Sequence, residues 1–187
     1  TAGLTAEDRE GGTVAGRSAP DGEPFVETLS TRHADLGSVA KWFVGRTLAV
    51  VRGSFVQNTQ DRVFGAAREE GTRRTWFSEG SMTGSRGRHT WVAGVSLQQD
   101  RHESPDLPDF DYSFSSPAAF VQDEIRLGPR LTLGGSVRVD AHSEYGTLFS
   151  PRLSLLARPN PEWVLRASAG GGAYAPTPFN EETDETG

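Results

Sequence analysis

An all-β fold is what this sequence predicts: an antiparallel up-and-down meander of about eight strands. Three observations carry the prediction. Helical periodicity is absent, since no long stretch places apolar residues three and four apart between caps. Period-two alternation is common instead. In Trp91–Leu97, Trp91, Ala93, Val95 and Leu97 alternate with Val92, Gly94 and Ser96. In Leu131–Asp140, Leu131, Leu133, Val137 and Val139 alternate with Thr132, Gly134, Ser136, Arg138 and Asp140. Trp163–Ala169 repeats the pattern. Successive strand side chains point to opposite faces, so each stretch has an apolar face and a polar or small one. The third observation is the punctuation, in which short Gly/Pro turns and longer polar segments take turns along the chain.

Taken in order, the predicted strands cover 26–44, 47–59, 74–84, 89–101, 114–127, 131–142, 149–158 and 162–172. A break in the first is expected near His33–Asp35. Short turns are expected at Val44–Arg46, Ser85–Arg88, Gly128–Arg130 and Pro159–Pro161. Longer loops are expected at Gln60–Arg73, His102–Tyr112, His142–Thr147 and Tyr174–Gly187. Residues 1–25, rich in Gly, Thr and Asp, read as an extracellular loop, and 173–187 as the start of another. The acidic run at Glu181, Glu182, Asp184 and Glu185 reads as a solvated loop face.

Segment length connects this meander to a membrane. A tilted strand crosses a bilayer in about 9–11 residues. Tight turns on one side and long loops on the other are the architecture of outer-membrane barrels. The tryptophans agree. Trp42, Trp91 and Trp163 each lie beside a short turn, and Trp76 lies beside the Gln60–Arg73 loop. Phe55, Phe114, Tyr145 and Phe149 also gather near long-loop ends. Two aromatic bands at the membrane–water interfaces are expected of such a barrel. In a soluble β-sandwich the same residues would sit mid-strand.

Composition bounds the alternatives. The chain has 187 residues, no Cys and a formal net charge of -6. The lack of Cys excludes a disulfide scaffold and cysteine-ligated zinc or iron–sulfur centres. The acidic balance argues against nucleic acid as a partner. No run of about 18 apolar residues marks a transmembrane helix. A mean hydropathy of -0.50 looks soluble by itself. Strands with one lipid-facing and one polar face, joined by wet loops, produce such a value too, because only half of each strand is apolar. Lys41 is the only lysine beside 18 arginines. Arginine suits fixed planar sites, but a GC-rich coding bias gives the same balance.

The segment Phe120–Thr183 resembles the barrel of TonB-dependent outer-membrane receptors. The residues that carry the resemblance are Gln122-Asp123-Glu124, Arg138-Val139-Asp140, Ser150-Pro151-Arg152, Gly170-Gly171-Gly172 and Ala175-Pro176-Thr177. Their order and spacing match over that segment, and residues 26–101 look like earlier hairpins of the same barrel. The resemblance implies a large transmembrane outer-membrane β-barrel of about 22 strands with a plugged lumen. Residues 26–172 would then form part of it. The plug domain and TonB box are expected upstream of Thr1, and the remaining strands after Gly187.

Alternation places Arg52, Glu79, Glu124, Arg126, Arg138, Asp140 and Arg166 opposite the apolar side, where a barrel has its lumen. Arg or Lys on the lipid side would cost about 2–4 kcal/mol near midplane. These charges are expected to meet a plug, line a substrate path or pair across strands. Glu124 with Arg138 is one such pairing, worth about 0.2–1 kcal/mol. Asp123 breaks the pattern by sharing a face with Val121 and Ile125, so an interfacial or bulged position is expected.

Ligand capture is expected in the loops, at Phe110, Tyr112, Tyr174 and Phe179. The acidic residues Glu103, Asp106, Asp109 and Asp111 either bind cations that bridge lipopolysaccharide or stay solvated. No catalytic or metal constellation is expected, and no cofactor. His33, His89, His102 and His142 are scattered without metal-ligand spacing. His142 and Ser143 are adjacent, so on a strand they cannot share a face as nucleophile and base. Gly170–Gly172 precedes no helix or Lys, which disfavours a phosphate loop. Such glycines let a strand bend or pass close to something bulky.

The resemblance implies energised uptake of a scarce, large nutrient such as a ferric siderophore, cobalamin or glycan. The partners it implies are the TonB complex, outer-membrane lipid and lipopolysaccharide, and the small-molecule ligand. A passive porin would need an inward constriction loop and no plug. A soluble sandwich would need its apolar faces to meet in a closed core.

Overall fold

A computed structural model describes residues 1–12, 25–173 and 175 of the chain. Among them are nine strands in chain order: β1 (Ala2–Gly12), β2 (Val26–Val44), β3 (Thr47–Phe64), β4 (Ala67–Arg86), β5 (His89–Glu103), β6 (Tyr112–Arg126), β7 (Leu131–His142), β8 (Gly146–Asn160) and β9 (Trp163–Gly170). One short 3-10 turn, Pro108–Phe110, lies between β5 and β6. The sheet order is the chain order, so the predicted meander is present, with one strand more than expected.

The residues group into two compact units. The first takes 1–38, 54–77 and 99–114, and the second 39–53, 78–98 and 115–187.

In the first unit, the extra strand is β1. It pairs antiparallel with β2 along its whole length, from Ala2 opposite Leu36 to Gly12 opposite Val26. Residues 2–12 therefore correct the loop expected over 1–25. The sequence hides this strand because Glu7, Asp8, Arg9 and Glu10 interrupt any apolar alternation. Backbone pairing with β2 is enough to hold it extended. Strand β2 also runs unbroken through His33–Asp35.

The Gln60–Arg73 loop is corrected likewise. It is a hairpin in which β3 and β4 continue to a two-residue turn, Gly65–Ala66. Gly65 has φ 57°, and no described non-glycine residue has positive φ. Glycine at the first central position is the signature of a type II′ turn. Polar cross-strand contacts take over above it: Thr59 and Thr72 hydroxyls lie 3.3 Å apart, and Arg68 grips Asp61 through two donors at 3.1 and 2.5 Å.

In the second unit, the tight turns expected at Val44–Arg46, Ser85–Arg88 and Pro159–Pro161 are present, and the longer loop expected at His142–Thr147 is corrected to a three-residue turn between His142 and Gly146. Gly45–Arg46 and Gly87–Arg88 repeat the glycine-first form, with φ 63° and 62°. Asn160 closes the β8–β9 turn, its Oδ1 accepting from the backbone N–H of Glu162 and Trp163 at 3.1 and 2.9 Å. Beyond β9, only 171–173 and 175 are described, so most of the loop expected at 173–187 lies outside the described residues.

Register sorts the side chains of this unit into two faces. Val121 lies opposite Val137, and Val137 opposite Pro151. Leu133 lies opposite Ile125 and Leu155, and Leu155 opposite Ala167. The other parity joins Gln122 to Ser136 and Arg152, then Glu124 to Gly134, Ser154 and Ser168. The apolar side is uncovered: Leu153 is 65% exposed, Val95 61% and Phe149 59%. Across the described residues the buried hydrophobic set is only Ala49, Tyr112 and Ala118. A sandwich with meeting apolar faces would bury Leu153 and Phe149. An exposed apolar face of this kind calls for an apolar solvent.

Large apolar residues also sit on the polar face: Leu148 opposite Asp140, Leu156 opposite Thr132 and Arg166, and Phe120. Phe120 lies opposite Arg138. It fits because Gly94 has no side chain: a Cβ there would come 2.5 Å from the Phe120 ring and 2.7 Å from the carbonyl oxygen of Gly80.

Two outcomes are expected in the full-length protein. Leu153→Arg should cost about 2–4 kcal/mol of membrane-folding stability if its site is near midplane, while Ser168→Arg on the polar face should cost little. Denaturant titration in lipid vesicles compares them, and equal losses would refute the face assignment. Gly94→Ala should destabilise by about 1–3 kcal/mol. Adding Phe120→Leu should recover only part, because the Gly80 carbonyl remains in the way.

Candidate functional site

The polar face of the second unit holds the charges predicted for a lumen. Arg52 donates to Glu79 at 2.9 Å. Arg138 forks onto Asp140, with N–O distances of 2.6 to 3.0 Å, and also donates to the buried Ser96 hydroxyl at 3.2 Å. Residues two apart on one strand share a face, which is why this same-strand pair forms. The expected Glu124–Arg138 pairing is not formed. Glu124 stands opposite Gly134 and Arg138 opposite Phe120. That register separates the two charges by four residues, or roughly 13 Å of strand. Glu124, Arg126 and Arg166 are exposed, with no ion pair among the described residues.

Asp123 is on the apolar face, as its parity requires, where Gly135 lies opposite it. His89 Nδ1 lies 2.6 Å from its Oδ2.

The tryptophans are surface residues. Trp42, Trp76 and Trp163 are about half exposed or more. Trp76 packs on Phe55 with ring centroids 4.3 Å apart. Trp91 lies flat against β4, where a Cβ on Gly84 would come 2.7 Å from the indole.

The first unit holds an aromatic cluster beside the β5–β6 connection. Tyr112 stacks between His102 and Phe114, at centroid distances of 5.6 and 4.7 Å. Phe110 stands exposed on the 3-10 turn. Of the four predicted ligand residues, the structure thus brings Tyr112 into a buried stack and displays Phe110. Tyr174 and Phe179 lie outside the described residues. Charge surrounds the cluster: Arg73 lies 3.6 Å from Asp100, which accepts from Thr75 at 2.6 Å.

The connection itself is tied down. Ser104 N–H donates to Asp111 at 2.6 Å, and its hydroxyl donates to the Glu70 carbonyl at 2.9 Å. Glu70 N–H in turn donates to Asp106 at 2.9 Å. Two of the acidic loop residues therefore brace the loop, a role that composition did not reveal.

His102 and Tyr112 lie outside the segments 89–101 and 114–127 predicted to cross the bilayer. Burial lowers the His102 pKa, with Asp111 opposing and Arg73 adding to the shift. Burial raises the Tyr112 pKa. At neutral pH the stack is therefore uncharged, with a phenol that keeps its proton. Such a surface suits planar or aromatic ligand groups.

His102 and Ser96 were missed as contributors. The signal for His102 was its even spacing with Asp100 in β5. Ser96 had no signal beyond its polar parity.

His142 and Ser143 serve the β7–β8 turn. The His142 ring nitrogen Nδ1 accepts from the N–H of Glu144 and Tyr145 at 3.2 and 3.3 Å, and Ser143 accepts from Ser115 N–H at 3.0 Å. Among the described residues no group of three or more His, Cys, Asp or Glu has metal-binding geometry.

The geometry is that of one segment of a transmembrane barrel, and comparison with known proteins agrees. The family described as TonB dependent receptor-like, beta-barrel matches residues 8–184. The chain belongs to this family, whose members are outer-membrane proteins of Gram-negative bacteria. The crystal structure of the siderophore receptor PirA from Pseudomonas aeruginosa matches with a TM-score of 0.74 at 16% identity. The match covers 94% of this chain and 35% of that one, so the chain spans about a third of its length. Comparison with curated proteins finds no match.

The His102 shift has a testable sign. Its folded pKa is below the unfolded value of about 6.5. Its stabilising contribution is complete above that value and is lost as pH falls through the depressed folded pKa. Ring NMR of histidine-labelled full-length protein should show His102 titrating below 6.5. His102→Phe should make the cluster insensitive to mild acid. A normal or raised titration point would contradict the packing described.

Proposed function

We propose that this chain is part of a receptor that takes up a scarce, large nutrient across the outer membrane, with energy delivered through TonB. The observation that carries the reading is the two-faced sheet in a chain of this family: apolar residues uncovered on one side, ion-paired charges on the other. Ligand capture falls to Phe110 and the His102–Tyr112–Phe114 stack. Tyr174 and Phe179 are proposed to join them from the last loop. Residues 13–24 and 173–187 belong to the extracellular side, and β1 extends a hairpin there.

Arg52–Glu79 and Arg138–Asp140 keep the lumen wall charged yet internally neutralised. Glu124, Arg126 and Arg166 are left to contact a plug or passing ligand. Trp42, Trp91 and Trp163 form the girdle at the tight-turn level and Trp76 the opposite one. Lipopolysaccharide and lipid cover the apolar side. The TonB complex engages a plug segment supplied elsewhere in the whole protein. A ferric siderophore is the ligand class we favour, since the stack is uncharged and aromatic and the similar PirA structure is titled a siderophore receptor. Cobalamin and glycans remain within the wider class.

The test is uptake of radiolabelled ferric siderophores by cells whose only receptor is the full-length protein. Uptake should vanish on deletion of TonB. Tyr112→Ala should weaken ligand binding by about tenfold, corresponding to about 1.4 kcal/mol. Uptake that persists without TonB would identify a passive pore instead.

A further inference from the structure

A small cavity opens on the apolar face of the second unit. It measures about 410 Å³ and is lined by Arg86, His89, Trp91 and Asp123. Its chemistry is out of place there. The residues that follow Asp123 across the sheet are Gly135 and then Leu153, neither of which offers a polar side chain. Asp123 spends Oδ2 on His89, and its other oxygen, Oδ1, is buried with no hydrogen-bond partner. A shielded carboxylate oxygen needs a donor, and the fold supplies none. Arg86 is the complementary case. It lines the same cavity, and no carboxylate pairs with it among the described residues. The cavity thus offers a free cation and an unsatisfied anion, with an indole wall between β4 and β6.

Position narrows the occupant. Arg86 and His89 flank the two-residue turn Gly87–Arg88. The turn end of such a strand lies at headgroup depth, where Trp also concentrates. The same face carries the exposed side chains of Val95 and Val121, which acyl chains would cover.

We propose that this cavity binds the headgroup of a phosphatidylethanolamine molecule. The proposal rests on the membrane reading above. Arg86 donates to the phosphate, whose geometry a guanidinium matches. The ammonium donates to Asp123 Oδ1, satisfying the acceptor that the fold leaves open beside this cavity. Trp91 packs against the two carbons between the charges. Phosphatidylglycerol has the same phosphate but no ammonium, so it offers Asp123 only neutral hydroxyl donors and brings a net negative charge towards it.

Native mass spectrometry of the detergent-purified full-length protein tests this, with dioleoyl phosphatidylethanolamine and dioleoyl phosphatidylglycerol as probes. Wild type should retain the ethanolamine lipid about tenfold more tightly than the glycerol lipid. Asp123→Asn should bring that ratio close to one. Arg86→Gln, which breaks no contact within the fold, should weaken both lipids by a similar factor. Wild type holding both lipids equally would overturn the proposal. So would unchanged ethanolamine-lipid binding in Arg86→Gln, even if Asp123→Asn fails to fold. Membrane fractionation separates the two levels of failure. Protein that inserts in the outer membrane but shows no lipid preference defeats this inference alone. Protein absent from that membrane defeats the reading beneath it as well.

Discussion

Backbone hydrogen bonding is the constraint on which the rest of this structure depends. A bilayer offers no partner for an N–H or C=O, so a strand that crosses it must be paired on both sides. Neighbour pairing in chain order answers that need with the shortest connections. Once pairing is set, side chains have no freedom to choose a face. Each residue goes to one side or the other by parity alone. The uncovered row at Val121, Val139 and Leu153 and the charged row at Arg138, Asp140 and Arg166 are two consequences of one register.

Parity also explains how charges are handled. Arg138 and Asp140 are two apart on β7, share a face and pair with each other. Arg52 and Glu79 come from different strands and still meet. Asp123 falls on the wrong face for a carboxylate, and the fold compensates it only halfway, through His89. The aromatic cluster of the first unit is organised differently. There, Ser104, Asp106, Asp111 and Glu70 fix a loop by side chain-to-backbone bonds, which holds Tyr112 between two rings.

Much of the fold was legible because alternation is a local property. Trp91–Leu97 and Leu131–Asp140 declare their strands without knowledge of any partner, and Gly45 and Gly87 declare their turns. Legibility fails where alternation carries no apolar signal. β1 loses its alternation from Glu7 onward, and the upper β3–β4 hairpin is mostly polar, so residues 2–12 and 60–73 looked like loops. Their extended form comes from a neighbouring backbone edge. Of the candidate site, the charged parity was readable; of the two aromatics expected in the loop, Tyr112 opens β6 and Phe110 ends the 3-10 turn. Their opposite states were not readable, one buried in a stack and the other displayed.

Residues adjacent in the chain are enough to set the all-β class, the period-two faces and the glycine turns at Gly45 and Gly87. Only the tertiary structure decided which charge meets which. Glu124 was matched to Arg138 by parity, yet register put Gly134 opposite the one and Phe120 opposite the other. It likewise decided that Gly94 makes room for Phe120 and that Asp123 keeps one oxygen unsatisfied. Register is set by the pairing of whole strands, and a face assignment leaves the position along the strand undetermined.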